Sequence, residues 1–223
     1  MNDGKSPSEH GGVDVSSLRR AATGLKLERE DLDSDPFRQF EEWFRQACES
    51  DDLDPNAVSL ATVDEHNRPA IRTVLLKYFD EHGFAFFTNH GSNKATQIAH
   101  NNNVAMLFFW RKLGRQVSIR GTAEKISTAE TLKYFATRPR GSQIGAWVSA
   151  QSSVISSRSM LEAKFDEMKR KFANNEVPLP SFWGGYRVTA REIEFWQGRT
   201  NRLHDRFLYT KQDDGWRIER LAP

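Results

Sequence analysis

The sequence predicts a mainly β protein, a β-barrel with helices at its periphery. Apolar residues alternate, or run in short stretches bounded by Gly, Pro, Asn and Asp, as in short strands joined by tight turns. Helical stretches fall between these strands without the regular alternation of a doubly wound sheet. Aromatic residues make up 11% of the chain, with fifteen Phe and six Trp, which suits a barrel filled by large side chains or the walls of an aromatic-ligand pocket.

The elements follow in order. Residues 1–17 are rich in Gly, Ser and Asp with no apolar period, and are expected to form a disordered tail; one domain is expected over 18–223. Asp35-Pro36 starts a helix with an N-cap and a first-turn proline, and Phe37, Phe40, Phe44 and Ala47 share one face. Val58–Val63, Ala70–Tyr78 and Phe84–Thr88 read as strands, and Ser92 caps a short helix that ends at the Asn101–Asn103 run. Val104–Trp110 and Gln116–Ile126 are two further strands. Ser127 and Glu130 form a capping box, and Leu161–Phe172 is an amphipathic helix with Leu161, Phe165, Met168 and Phe172 on its stripe. Tyr186–Val188, Glu192–Trp196, Arg206–Tyr209 and Trp216–Leu221 complete the strands.

Composition excludes several classes of function. Lys plus Arg number 32 against 30 Asp plus Glu, a net charge of +2 that lacks the basic excess of a nucleic-acid binder. Cys48 is the sole cysteine, so neither an intrachain disulfide nor a cysteine zinc site is available, and no metal site is predicted. No run is long enough to span a membrane and no apolar leader is present, which points to a cytoplasmic setting.

Several stretches hold candidate chemistry. Arg72 and Lys77 flank an apolar strand, either as solvated termini or reaching two different anions. Gly91-Ser-Asn-Lys94 precedes a helix, where free N–H groups attract phosphate and where ordinary capping also places such residues. Tyr134, Arg138 and Ser142 recur every four residues and could cup an anion, although Pro139 and Gly141 interrupt the helix; a surface Arg beside a half-buried Tyr gives the same spacing. Gln116, Gln151 and Ser152 supply neutral groups able to read a ring edge. Between Glu194 and Arg206 the chain places Trp196, Arg202 and His204, and if Arg202-Leu203-His204 is extended, the Arg202 and His204 side chains point to one side.

These stretches together resemble the pyridoxine (pyridoxamine) 5′-phosphate oxidases, from about Leu18 to Pro223. The most specific parts are Arg72–Lys77, Arg138–Ala146, Gln151–Ser153, Val177–Gly185, Glu194–Gly198, Arg202–Arg206 and Glu219–Pro223. The resemblance implies an FMN-binding split β-barrel, a homodimer with FMN at the interface, and oxidation of pyridoxine 5′-phosphate or pyridoxamine 5′-phosphate by O2. It implies that Arg72 and Lys94 hold the FMN phosphate, and that Thr73, Val74, Leu75, Leu76, Lys77, Phe87, Thr88, Asn93, Gln116, Gln151, Ser152, Trp196 and Arg206 complete the cofactor contacts. Lys77, Tyr134, Arg138 and Ser142 match the cup for the substrate's phosphate. Arg202 and His204 match the catalytic pair over the pyridine ring, and Arg19 and Arg20 match a pair that folds over the site. Asn93 stands where relatives commonly carry Arg, and Ala21-Ala22 where a bulkier pair is usual. A flavin reductase without pyridoxal chemistry, or a nucleic-acid-binding barrel, are the alternatives; the first has no use for the Tyr134–Arg138–Ser142 cup, and the charge balance disfavours the second.

Overall fold

The computed structural model describes residues 24–50 and 52–223. The expected tail 1–17 and the residues Arg19, Arg20, Ala21 and Ala22 lie outside them. Strand β1 (Ala57–Val63) pairs antiparallel with β2 (Pro69–Leu75), and β3 (Tyr78–Asp80) with β4 (Gly83–Asn89). Helix α2 (Asn93–His100) leads into the hairpin of β5 (Asn103–Trp110) and β6 (Arg115–Lys125). Three helices follow, α3 (Thr128–Thr137), α4 (Arg140–Val148) and α5 (Arg158–Lys171), before the long β7 (Trp183–Gln197) and the closing hairpin β8 (Asp205–Gln212) and β9 (Gly215–Arg220).

The strand order β2-β1-β5-β6-β7-β4-β3 puts β2 and β3 at opposite edges, yet only Leu76 and Lys77 separate them in sequence. A flat path of that length would hold its edges roughly 29 Å apart at the usual strand spacing. Two connecting residues bridge only about 11 Å. The sheet must therefore curl into a nearly closed barrel. The seam is visible in consecutive hydrogen bonds: Leu76 donates its N–H to Asn56 O on one side, and Lys77 donates to Ala85 O on the other, each at 2.8 Å.

β7 splits the sheet. Along one edge it pairs with β6; along the other, Trp183–Val188 meets β4 and Glu192–Gln197 meets β8. The two strands expected at Tyr186–Val188 and Glu192–Trp196 are thus one. Thr189-Ala-Arg191 carries no turn residue, and the chain continues through a register shift opposite Arg120 and Gly121. The single strand expected over Ala70–Tyr78 is instead two, because the backbone changes partners at the seam.

Helix α1 (Pro36–Glu49) fills the barrel. Asp35 Oδ1 accepts from Phe37 N at 2.9 Å, and Pro36 needs no donor at the first position. Phe40 is fully buried, with its ring 4.8–5.0 Å from Phe79, Phe84 and Phe108. Trp43, rather than the expected Phe44, is the other deeply buried aromatic of this face, edge-on to Phe195 at 5.2 Å. Phe40→Ala removes a ring that such a cavity cannot collapse around; it should cost about 3–5 kcal/mol, read as a lower urea midpoint with an unchanged m-value.

A second apolar cluster joins Phe135, Ile144, Val148, Met168, Phe172 and Trp183 beneath α3, α4 and α5. Leu161 and Phe165 pack at its margin, as the amphipathic stripe predicts. Ser127 caps α3 by accepting from Glu130 N at 3.2 Å.

Candidate active site

Three elements meet where β2 ends: the seam residue Lys77, the β4–α2 corner, and the segment after α4. They enclose a cavity of about 520 Å³ lined by Arg72, Thr73, Val74, Leu75, Lys77, Phe87, Thr88, Asn93, Lys94, Gln151 and Ser152. These residues were expected together, and the fold brings them together. Leu76, expected with them, does not join: its side chain packs in the barrel core, because alternation along the strand turns it inward with Val74.

The cations of this cavity are held by neutral groups. Arg72 donates to Gln97 Oε1 at 2.9 Å, Leu60 O at 3.3 Å and Thr62 Oγ1. Lys94 is buried, and among the described residues its amine reaches only Thr88 Oγ1 and Gln151 Oε1, each at 3.2 Å. Burial, then the nearby Arg72, pushes the Lys94 pKa below the ordinary lysine range, and burial lowers that of Arg72. Two desolvated cations without a carboxylate partner are costly unless an anion joins them. A phosphate fits that requirement. Asn93 is exposed at the rim, where its backbone N–H donates to Ser152 Oγ at 3.2 Å. Ser152 itself adopts a left-handed backbone at φ 77°, sparsely populated for a side-chain-bearing residue.

An adjoining cavity of about 340 Å³ shares Lys77, Phe87, Thr88 and Gln151 and adds Tyr134, Arg138, Ser142 and Trp183. The interrupted four-residue spacing resolves as expected: Tyr134 lies on α3, Arg138 at its C-terminal cap, and Ser142 in the first turn of α4. The helix N-terminus adds its own preference for anions. Arg138 Nη1 is buried and has no hydrogen-bond partner among the described residues. Burial lowers the Arg138 pKa and raises that of Tyr134.

Gln116, Trp196 and Arg206 lie elsewhere, in a third cavity of about 300 Å³ shared with Leu107, Ser118, Glu194 and Pro223. Within one chain, then, the expected cofactor contacts form two separate groups. Glu194 holds Arg206 through two contacts of 2.7 and 3.1 Å, which raises the Arg206 pKa. Beside this cavity the outward face of β5 exposes Leu107 and Phe109.

Arg202 and His204 do not sit on an extended segment. Thr200–Arg202 is a one-turn 3₁₀ helix, with Asn201 and Arg202 left-handed at φ 57° and 61°. Arg202 is exposed and makes no hydrogen bond or ion pair among the described residues. The His204 ring lies 4.5 Å from that of Trp196, tilted by 40°, and its Nδ1 accepts from Arg199 N at 3.0 Å. A backbone N–H can only donate, so neutral His204 carries its proton on Nε2 and presents a donor there.

The sequence assigned no site role to Asn89, Trp183 or Glu194, although Trp183 and Glu194 fall in stretches it singles out. Asn89 ties the β4 corner to the segment after α4, donating to Ser149 O at 2.9 Å. Glu194 shares a strand face with Trp196, a signal that was available; the roles of Asn89 and Trp183 depend on contacts across the fold.

The geometry defines a class: a split barrel with two adjoining cationic, aromatic-walled pockets, suited to phosphorylated aromatic molecules. Comparison with known proteins then specifies it. Residues 44–172 match the model of the pyridoxamine 5′-phosphate oxidase family, and residues 183–223 match the pyridoxine 5′-phosphate oxidase C-terminal dimerisation region. Pyridoxine/pyridoxamine 5′-phosphate oxidases from Rippkaea orientalis and Escherichia coli O1:K1 are 63% and 57% identical, covering 95% and 94% of this chain and 100% and 96% of theirs. Among solved structures, PhzG from Burkholderia lata 383, in complex with tetrahydrophenazine-1-carboxylic acid, superposes with a TM-score of 0.85 at 27% identity, over 91% of this chain and 99% of that one. The chain belongs to the pyridoxamine 5′-phosphate oxidase family.

Proposed function

We propose that this protein is an FMN-dependent oxidase that converts pyridoxine 5′-phosphate or pyridoxamine 5′-phosphate to pyridoxal 5′-phosphate, with O2 as acceptor and H2O2 as product, as a cytoplasmic homodimer. The observation that carries this reading is the pair of adjoining cavities, each with a buried cationic group and, among the described residues, no acid to neutralise it. One phosphate suits Arg72 and Lys94; the other suits Lys77, Tyr134, Arg138 and Ser142. Close to neighbouring phosphate anchors, two flat rings lie in register, and positioning of this kind contributes much of the catalysis.

Bound FMN supplies the acceptor for a hydride from C4′ and the route for two electrons onward to O2. The chain's own residues do the rest. Thr73, Val74 and Leu75 wall the cofactor cavity, and Lys77 stands between the two anions, at the seam that closes the barrel. Gln116, Trp196 and Arg206, displaced from that cavity within one chain, complete it from a second copy across the exposed β5 face. Arg202 covers the pyridine ring; its left-handed backbone is the kind of local strain that persists at functional sites. His204, with Nδ1 accepting from the Arg199 backbone N–H, donates from Nε2 to the oxygen or nitrogen at C4′ and so orients it, while the proton that this group loses with the hydride passes to water.

The purified protein should be yellow, and its visible absorbance should bleach anaerobically with pyridoxine 5′-phosphate and return with air, releasing one peroxide per turnover. Bleaching by unphosphorylated pyridoxine at equal concentration and rate would exclude the substrate-phosphate site.

A further inference from the structure

The Trp183-Gly184-Gly185 stretch is singled out by the sequence, yet the chemistry above gives it no task. In the fold it opens β7, directly beneath the substrate-phosphate cup. We propose that Trp183 is a positioning residue for Arg138: its ring face fixes the guanidinium toward the substrate's phosphate without neutralising it. This rests on the reading of the cup given above.

The cup's arginine lacks the usual anchor. An arginine held in one geometry normally pairs with a carboxylate, as Arg206 does with Glu194 and Arg187 with Asp80 and Glu130. Arg138 has no ion pair among the described residues. Its guanidinium carbon instead lies 4.5 Å from the Trp183 ring centre and 5.7 Å from that of Phe135. A carboxylate in that place would fix Arg138 equally well, but it would compete with the incoming phosphate and cancel its attraction. An aromatic face attracts a cation through its quadrupole and leaves the net charge intact. The orphaned Nη1 is then free to meet an anion.

Trp183 is itself held in place. Phe87 stacks on it at 5.3 Å with 13° between planes, and Tyr134, another cup member, stacks on Phe87 at 4.1 Å. Phe135 meets Trp183 edge-on at 5.3 Å. The glycine at 185 makes room for this array: a Cβ there would stand 2.8 Å from the Phe87 ring and 2.7 Å from Ile126. The platform therefore rests on strand backbone, while Arg138 projects from a helix cap with a long flexible side chain. Orientation passes from the rigid partner to the flexible one.

The test is a mutant cycle in the FMN-loaded enzyme, with flavin content and unfolding midpoint as controls. Trp183→Leu should raise KM for pyridoxine 5′-phosphate about tenfold and change kcat less than twofold, the pattern of lost uniform binding. Inhibition by inorganic phosphate should weaken in parallel. Trp183→Phe, which keeps a smaller ring face, should recover most of the loss. In an Arg138→Met background Trp183→Leu should add nothing, because the interaction has already gone. An equal KM rise in that background overturns the positioning role and leaves the cup reading intact. Arg138→Met without any change in KM removes the cup reading, and the inference with it. If Trp183→Leu does not fold, Trp183→Phe decides the matter: a KM rise of about threefold is expected with Arg138 present and none in the Arg138→Met background, and any other pattern refutes it.

Discussion

Lys94→Met should yield a protein that binds FMN about 10- to 100-fold more weakly, yet whose apo form is at least as stable as the parent. The loss follows from removing a charge-assisted contact worth about 1.5–3 kcal/mol. The neutral or favourable stability follows from the site: Lys94 is buried, with Thr88 and Gln151 as its hydrogen-bond partners and Arg72 repelling it. Methionine of similar length fills the space without desolvating a charge. The pH dependence has a definite sign. Between the lowered native pKa and the ordinary one, the unfolded chain holds more protons on Lys94, so apo stability rises with pH across that window. Lys94→Met should lack that rise. Fluorescence titration with FMN and urea unfolding of apoprotein across alkaline pH check both halves. A less stable apo variant with unchanged FMN affinity would assign Lys94 to packing. Asn93 sharpens the expectation, since an exposed neutral side chain at the rim adds no charge to the anchors proposed for the phosphate, Arg72 and Lys94.

Arg202→Ala should slow anaerobic flavin reduction on the order of 100-fold at saturating pyridoxine 5′-phosphate, the scale of a reacting group displaced by about an ångström. Arg202 is exposed, and its backbone is left-handed without a glycine's freedom. Its removal should therefore leave stability unchanged, since the side chain is exposed and alanine keeps the Cβ that a left-handed backbone strains. Stopped-flow bleaching reads the first effect and thermal unfolding the second. An unchanged reduction rate takes Arg202 off the catalytic list.

Much of this protein was legible in its residues, and the exceptions are instructive. The caps at Asp35 and Ser127, the α5 stripe and the β5–β6 hairpin depend on neighbours within a few positions, and they form where expected. Ala70–Tyr78 failed as one strand because the change of partners at Leu76-Lys77 is set by Asn56 and Ala85, not by anything beside it. Thr189–Arg191 failed as a break because a bulge needs no turn residue. The Arg202–His204 segment failed as extended because a left-handed pair outside glycine carries no sequence signal.

By itself the sequence determined the mainly β class, the absence of a basic excess and of an intrachain disulfide, and the family, and it named most of the residues that line the two cavities. These follow from composition, period and motif, which are local properties of the chain. Only the tertiary structure decided that Arg72 and Lys94 share a pocket without an acid, that Gln116, Trp196 and Arg206 stand apart from it, and that Arg138 rests on Trp183. Each depends on the barrel's curl, which brings together residues far apart in sequence, and on where buried charges find partners once water has been excluded.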